Sequence, residues 1–304
     1  MTNNSPSAFI LVGPTAAGKS SVVQLLAEQT GAPVVSADSM NIYRGMDIGT
    51  AKPTADERAA VAYHGIDLAE PTEAFSVGDW LHAVRSAFFQ PLENKRGGGS
   101  ASPIVAGGTG LYVKCLLAGL DPMPAADEAL RARTEKMTLA ELQAEARAAA
   151  PEAYAALADN ENPRRLVRLL EHGGLPGTQK KELPVIVGLH MEREVLLKRI
   201  AARVENMYAN GLIEEARGLM GLELSATAEK AIGYAEAFAV LRGEMTETQA
   251  KERTVIRTRQ LAKRQMTWFR TQLNVEWVET QNFQTLEKLA EQVSKVWKKV
   301  PVNL

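Results

Sequence analysis

The chain has one cysteine, Cys115, in 304 residues. That excludes an internal disulfide and any zinc site built from clustered cysteines. Cys115 stands among Tyr112, Val113, Leu116 and Leu117, the surroundings of a small core residue. No apolar run approaches the ~18 residues a membrane-crossing helix needs. The opening stretch, Met1 to Ser7, lacks the basic and apolar regions of a secretion signal and reads as a frayed tail. Net charge is nearly absent: 35 basic residues against 36 acidic ones leave −1. Bulk electrostatics therefore point to no partner. We expect a cytoplasmic protein without membrane association, and take a monomer as its expected state.

Charge is nonetheless unevenly placed. Between Lys251 and Arg270 lie seven basic residues and one acid, Glu252. Such a stretch is either a solvated helix face or a local footprint for a polyanion. Hydrophobic residues make up 45% of the chain, ample for a packed core.

The densest chemistry is Gly13-Pro14-Thr15-Ala16-Ala17-Gly18-Lys19-Ser20. It follows a buried-strand run, Ala8 to Val12, and opens into a helical pattern from Ser21. This is a G-x-x-x-x-G-K-S phosphate loop in its strand–loop–helix setting. Backbone N–H groups curl around phosphate oxygens, and the helix N-terminus adds partial positive charge. Lys19 brings a full charge, and the Ser20 hydroxyl suits a Mg²⁺ shell. The loop specifies a diphosphate or triphosphate without specifying a reaction.

Strand and helix patterns alternate through the first third. Strands are expected at Ala32–Ser36 and Pro103–Ala106, with a helix from about Phe75 to Asn94 and a flexible turn at Arg96–Ser102. Such alternation predicts an α/β fold, a P-loop NTPase-like parallel sheet flanked by helices. From 122 to 182 no strand pattern appears. Asp121-Pro122-Met123-Pro124 breaks the chain, Thr138 and Glu141 form a capping box, and Asn162-Pro163 starts another helix. Strands return at Pro184–Leu189 and Val275–Val278, and Thr246 with Gln249 caps the long basic helix. We therefore expect a core of 1–121 and 183–304 carrying a helical insertion domain, 122–182.

Asp38 follows the second strand, so it points toward the phosphate site, where strand ends meet. A carboxylate there binds Mg²⁺, accepts a proton from a nucleophile, or caps a helix. Gly107-Gly108-Thr109-Gly110 closes the next strand, as a ligand-contacting turn or a tight turn with a Thr cap. Arg131, Arg164, Arg165 and Arg168 make the insertion cationic, and Arg253, Arg257 and Arg264 share a face of the basic helix. Trp268 and Phe269 would stack on a base or join the core.

Taken in order, five segments resemble the bacterial tRNA dimethylallyltransferases: the phosphate loop, Ala37–Arg44, Met46–Pro53, Gly107–Tyr112 and Ala262–Arg270. Arg203–Glu214 and Ala231–Glu236 also look like the family's pattern. The resemblance spans nearly the whole chain. It implies that the phosphate loop holds dimethylallyl diphosphate rather than ATP, and that the prenyl group passes to N6 of the adenine just 3′ of the anticodon. It further implies Asp38 as general base, Thr109 as a substrate-contacting hydroxyl and Arg203 as a diphosphate ligand. Ser39, Met40 and Asn41 would face the flipped nucleotide. Arg131, Arg164, Arg165, Arg168, Lys263 and Arg264 would grip the tRNA anticodon stem-loop. Mg²⁺ on Ser20 is the implied cofactor. Asn41 departs from the family's usual Gln, and His172–Lys180 departs from its usual Thr-Gly-Lys-Pro run. The competing readings are a P-loop kinase of a small metabolite or nucleotide and a non-catalytic NTP-driven RNA switch; dependence on ATP separates them.

Overall fold

A computed structural model describes residues 7–89, 101–120, 127–157, 159–173, 182–300 and 302–304. The chain divides into two compact units, Met1–Ala118 with Leu183–Leu304, and Gly119–Glu182.

In the first unit the elements run β1 Ser7–Val12, α1 Lys19–Thr30, β2 Val34–Ser36, α2 Ala55–Ala60, β3 Tyr63–His64, α3 Val77–Val84, α4 Ser86–Phe89, β4 Ile104–Gly107 and α5 Gly110–Ala118. The second unit holds α6 Glu128–Thr134, α7 Leu139–Ala149, α8 Pro151–Ala155 and α9 Pro163–Glu171. The first unit then resumes with β5 Val185–His190, α10 Arg193–Ala209, α11 Leu212–Leu219, α12 Tyr234–Leu241, α13 Glu247–Gln272, β6 Asn274–Glu279, α14 Leu286–Lys299 and β7 Val302–Asn303.

The strands form one sheet in the order β3-β2-β4-β1-β5-β6, all parallel, and β7 adds an antiparallel pair to β1. Ile10, Leu11 and Val12 are almost fully buried because helices cover both faces, which is why β1 reads as an unbroken apolar run. One face carries a core with Ile10, Val12, Trp80, Tyr112 and Phe269; the other carries Leu11, Val22, Leu26, Val187 and Trp297. The insertion has a small core of its own, Leu142, Ala146, Tyr154, Leu166 and Leu169.

Local chemistry sets the helix ends. Thr138 with Glu141 and Thr246 with Gln249 form reciprocal capping boxes. The Asn162 side chain accepts from the Arg164 N–H at 3.1 Å, and Pro163 occupies the first turn. The helix expected from 75 to 94 is broken at Arg85 into α3 and α4, and 90–94 lies outside the described residues. So do most of the turn at 96–102, the break at 121–124 and the segment 174–181. Strands β3 and β7 had no counterpart in the sequence reading. Each is two residues long, too short for a period to show.

Candidate active site

The phosphate loop joins the C-terminal end of β1, in the middle of the sheet, to α1. Gly18 sits at the helix start with φ 93°, and Ala16 also takes a positive φ, 64°. A side chain at Gly18 would be strained in that left-handed conformation. The Lys19 ammonium folds back onto the Pro14 carbonyl at 2.8 Å and has no carboxylate partner among the described residues. Burial pulls its pKa down to about 8, Asp38 opposes the shift, and Arg203 adds to it. Ser20 is exposed on the first turn. Gly13, Pro14 and Ala17 are buried framework, and Thr15, Ala16, Gly18, Lys19 and Ser20 face the cavity.

No helix follows Asp38, so capping does not explain it. Its Oδ1 accepts the Met40 N–H at 2.9 Å. The Thr109 hydroxyl accepts the Ser39 N–H at 3.0 Å and lies 3.2 Å from the Ser39 hydroxyl, while the Thr109 N–H reaches the Ala37 carbonyl at 3.1 Å. Thr109 therefore ties the turn after β4 to the segment carrying Asp38, and it lines neither cavity described below. In the protein alone these bonds make Thr109 a brace on the segment carrying Asp38. Asn41 faces the phosphate side with Ser36, its Nδ2 donating to the Ser36 hydroxyl at 3.2 Å. Ser39 and Met40 face the other side.

Two cavities meet here. The first, about 330 Å³, is lined by the phosphate loop with Val23, Val34, Asn41, Arg199 and Arg203. The second, about 520 Å³, is lined by Ser39, Met40, Gly49, Lys230, Leu261 and Arg264, among others. Thr15, Asp38, Thr50, Arg203 and Gln265 belong to both walls. Burial lowers the Arg203 pKa and Asp38 opposes the shift. Asp38 thus stands at the junction, electrostatically coupled to both Lys19 and Arg203.

Two residues of the site escaped the sequence reading. Gln265 of α13 accepts the Thr15 N–H at 2.8 Å and donates to the Gly108 carbonyl at 3.1 Å, pinning the phosphate loop to the turn after β4. A side chain on Gly108 would meet the Gln265 amide at 2.3 Å and push it off the Gly108 carbonyl. Arg199 lies one helical turn before Arg203 on α10, and its guanidinium comes within 3.5 Å of where a Gly18 Cβ would be. The i, i+4 spacing of Arg199 and Arg203 was the available signal.

The expected cationic surfaces divide. On α13, Arg257 is clamped to buried Glu236 at 2.5 Å and to the Lys230 carbonyl at 2.8 Å, and Arg253 approaches the same carboxylate at 3.7 Å. Lys251 pairs with Glu205 and Glu247. Lys263 and Arg264 are exposed, with no ion-pair partner among the described residues. Phe269 is fully buried and Trp268 packs over Gly110, so both serve the core. In the insertion, Arg131 and Arg168 both bind Glu171, at 2.6 and 2.7 Å. Burial pushes Glu171 up, and the two guanidiniums more than offset it, holding the carboxyl below its usual range. Arg164 and Arg165 are exposed and have no ion-pair partner among the described residues.

Among the described residues no helix is long and apolar enough to cross a membrane, and no cluster of three or more His, Cys, Asp or Glu side chains is placed to hold a metal. Comparison with known proteins agrees with the geometry. The profile described as IPP transferase matches residues 41–272, and that described as isopentenyl transferase matches 6–62. A tRNA dimethylallyltransferase of Bacillus velezensis is 38% identical over 92% of this chain and 92% of its own. One from Streptomyces griseus is 40% identical over 90% of this chain and 91% of its own. The crystal structure of a full-length tRNA isopentenylpyrophosphate transferase from Bacillus halodurans superposes with a TM-score of 0.69 at 36% identity, covering 97% of this chain and 96% of that one.

Proposed function

This chain belongs to the IPP transferase family, and from that premise we propose the reaction its two joined cavities carry out. It is an enzyme that transfers a prenyl group to tRNA. In our reading the donor is dimethylallyl diphosphate and the acceptor is N6 of the adenine 3′-adjacent to the anticodon. The observation that carries this is the junction. A cation-lined cavity and a second, wider one share a wall containing a carboxylate, Asp38.

The diphosphate belongs to the first cavity. Lys19, Arg203 and the loop N–H groups neutralise it as a leaving group. Arg199, on the same helix face as Arg203, adds to that field. The Ser20 hydroxyl, exposed on the first turn of α1, would hold Mg²⁺, an ion that needs few protein ligands beside a phosphate site. When bound, the ion neutralises charge on the leaving diphosphate.

The adenine enters from the second cavity, past Ser39 and Met40. Leaving its stack costs a few kcal/mol, least for a loop nucleotide. The adenine N6 lone pair attacks the allylic carbon, the C–O bond breaks, and diphosphate departs with the bonding electrons. Asp38 takes the N6 proton. Thr109 and Met40 hold that carboxylate's segment in place. Lys263 and Arg264 on α13, and Arg164 and Arg165 on α9, exposed and without an ion-pair partner among the described residues, would meet RNA phosphates.

The test is direct. Purified protein is incubated with radiolabelled dimethylallyl diphosphate and unmodified tRNA, without ATP. Prenylated adenosine in the nuclease digest is expected. A phosphorylated product that needs ATP, with no prenylated nucleoside, would replace this reading by a kinase.

A further inference from the structure

The segment 46–52 walls all of this chemistry without supplying a charged group to it. Thr50 lies at the junction, Gly49 lines the second cavity, and Ala51 and Lys52 line the first. Its backbone is bent, with Ala51 at φ 52°, and although Met46 anchors one end in the core, the backbone N–H groups of 47–49 need partners of their own. Something must hold it.

On one side it is held by a cation. The buried Lys52 ammonium donates to the Tyr43 carbonyl at 2.5 Å and to Asp47 and Asp67 at 2.6 Å each. On the other side it is held by an anion. The Glu215 carboxylate, carried by α11, accepts the N–H groups of Asp47 at 2.9 Å, Ile48 at 3.0 Å and Gly49 at 3.4 Å. Three successive backbone N–H groups converging on one carboxylate make the kind of concavity that elsewhere binds a free anion. Tyr234 of α12 completes it. Its hydroxyl donates to Glu215 and accepts the Gly49 N–H at 3.2 Å. Its ring lies 2.2 Å from where a Gly49 Cβ would be, so the loop rests flat on the ring. Burial first, and the adjacent carboxylate second, push the Tyr234 phenol well above its usual range, so it remains a donor at every working pH.

We infer that Glu215 is a positioning residue: an internal anion that fixes the 47–50 wall so that the acceptor nucleotide seats against Asp38. This rests on the acceptor entering by the second cavity. The groups that bind diphosphate and the braces on Asp38 involve neither Glu215 nor Tyr234. Of the residues whose N–H groups Glu215 holds, Gly49 lines the second cavity and none lines the first, so loss of Glu215 affects seating of the acceptor before the donor.

The experiment compares steady-state prenylation of unmodified tRNA with calorimetric binding of inorganic diphosphate, in the full-length parent and variants. In Glu215→Ala the kcat/KM for tRNA is expected to fall about 30-fold, the scale for losing charge-assisted bonds that place a substrate. Diphosphate affinity should stay within about twofold of the parent. Added acetate should restore most of the loss, because it refills the vacated concavity. Glu215→Gln should be impaired but unresponsive to acetate, since its amide still occupies the space. Tyr234→Phe keeps the ring under Gly49 and removes one bond; a loss of about three- to fivefold, again confined to the acceptor, is expected. A folded Glu215→Ala enzyme that acetate does not rescue, or whose diphosphate affinity falls as far as its tRNA efficiency, overturns the inference. If Glu215→Ala does not fold, Tyr234→Phe with parental kinetics overturns it. A parent that prenylates no tRNA sinks the functional reading as well; an active parent with indifferent variants sinks this inference alone.

Discussion

The phosphate cavity and the insertion are both rich in cations, and they treat them in opposite ways. In the cavity Lys19 and Arg203 press against each other's field, and Asp38 is the carboxylate coupled to both. In the insertion Arg131 and Arg168 share a Glu171 whose side chain is only 1% exposed, and Arg133 grips Glu145 at 2.5 Å. A guanidinium already bonded to a carboxylate has its donors in use and contributes to local structure. Cations packed together without a partner raise the free energy of the empty protein, and a polyanion relieves that cost. The same residue types thus mark a ligand site in one place and a scaffold in the other. Pairing, not composition, tells them apart.

The sharpest way to break this comparison is Lys19→Met. It removes an unpartnered charge, so the melting temperature should hold or rise, while kcat/KM for prenyl transfer falls by about 10³-fold, the scale for losing a leading electrostatic contact in the transition state. A variant that melts earlier yet still turns over normally would make Lys19 structural. Asp38→Ala should follow, lowering kcat by about 10²-fold or more with diphosphate binding nearly intact. Near-parental kcat would reduce Asp38 to a turn residue.

The pH dependence of donor binding sharpens the same point. Lys19 loses its proton near pH 8 in the free protein, well below its unfolded value of 10.5. Between those values the unfolded chain carries the extra proton, so this group's contribution to stability rises with pH through that window. Diphosphate favours the charged form. Its affinity should therefore weaken by up to about tenfold per pH unit above pH 8, while stability moves the other way. Affinity flat to pH 10 in calorimetry would show that Lys19 is already fully charged by another route.

The smallest effects concern RNA. Lys263→Ala and Arg264→Ala should each lower tRNA affinity a few-fold and flatten the slope of log K against log salt by about one. The exposed pair Arg164 and Arg165 should behave likewise. Glu171→Ala is the converse. It should destabilise the insertion by about 1–3 kcal/mol, the cost of stranding charged hydrogen-bond partners, without weakening tRNA binding. Salt slopes identical to the parent in all four arginine and lysine variants would take the nucleic-acid contacts elsewhere.

The sequence showed the long strands, the phosphate loop and the capping boxes because each is local: a few consecutive residues carry the whole pattern. Asp38 was legible for the same reason, since it follows β2 immediately. What it could not show were pairings over distance. Arg131 meets Glu171 across 40 residues, Gln265 reaches Thr15 across 250, and Arg257 finds Glu236 on a separate helix. Basic residues that looked equivalent on a helical wheel divide into bonded and free only once the partner helices are in place. Thr109 is instructive in another way. A Thr just after a strand has the same appearance whether or not its hydroxyl also reaches across to the segment after the neighbouring strand, as Thr109 does to Ser39.

The central strand also has a temporal side. Its parallel neighbours β4 and β5 lie on opposite sides of the insertion in the chain, with Val12 paired to Gly107 on one flank and Gly188 on the other. During synthesis, β1 waits with one edge open until the whole insertion has left the ribosome. The insertion has its own core and closes it within about sixty residues, so it is placed to collapse first. β1 gains its second parallel neighbour only after that, over a long loop, and the phosphate loop hanging from β1 is the segment this late pairing anchors. For this protein, competence to bind its donor is among the last things folding delivers.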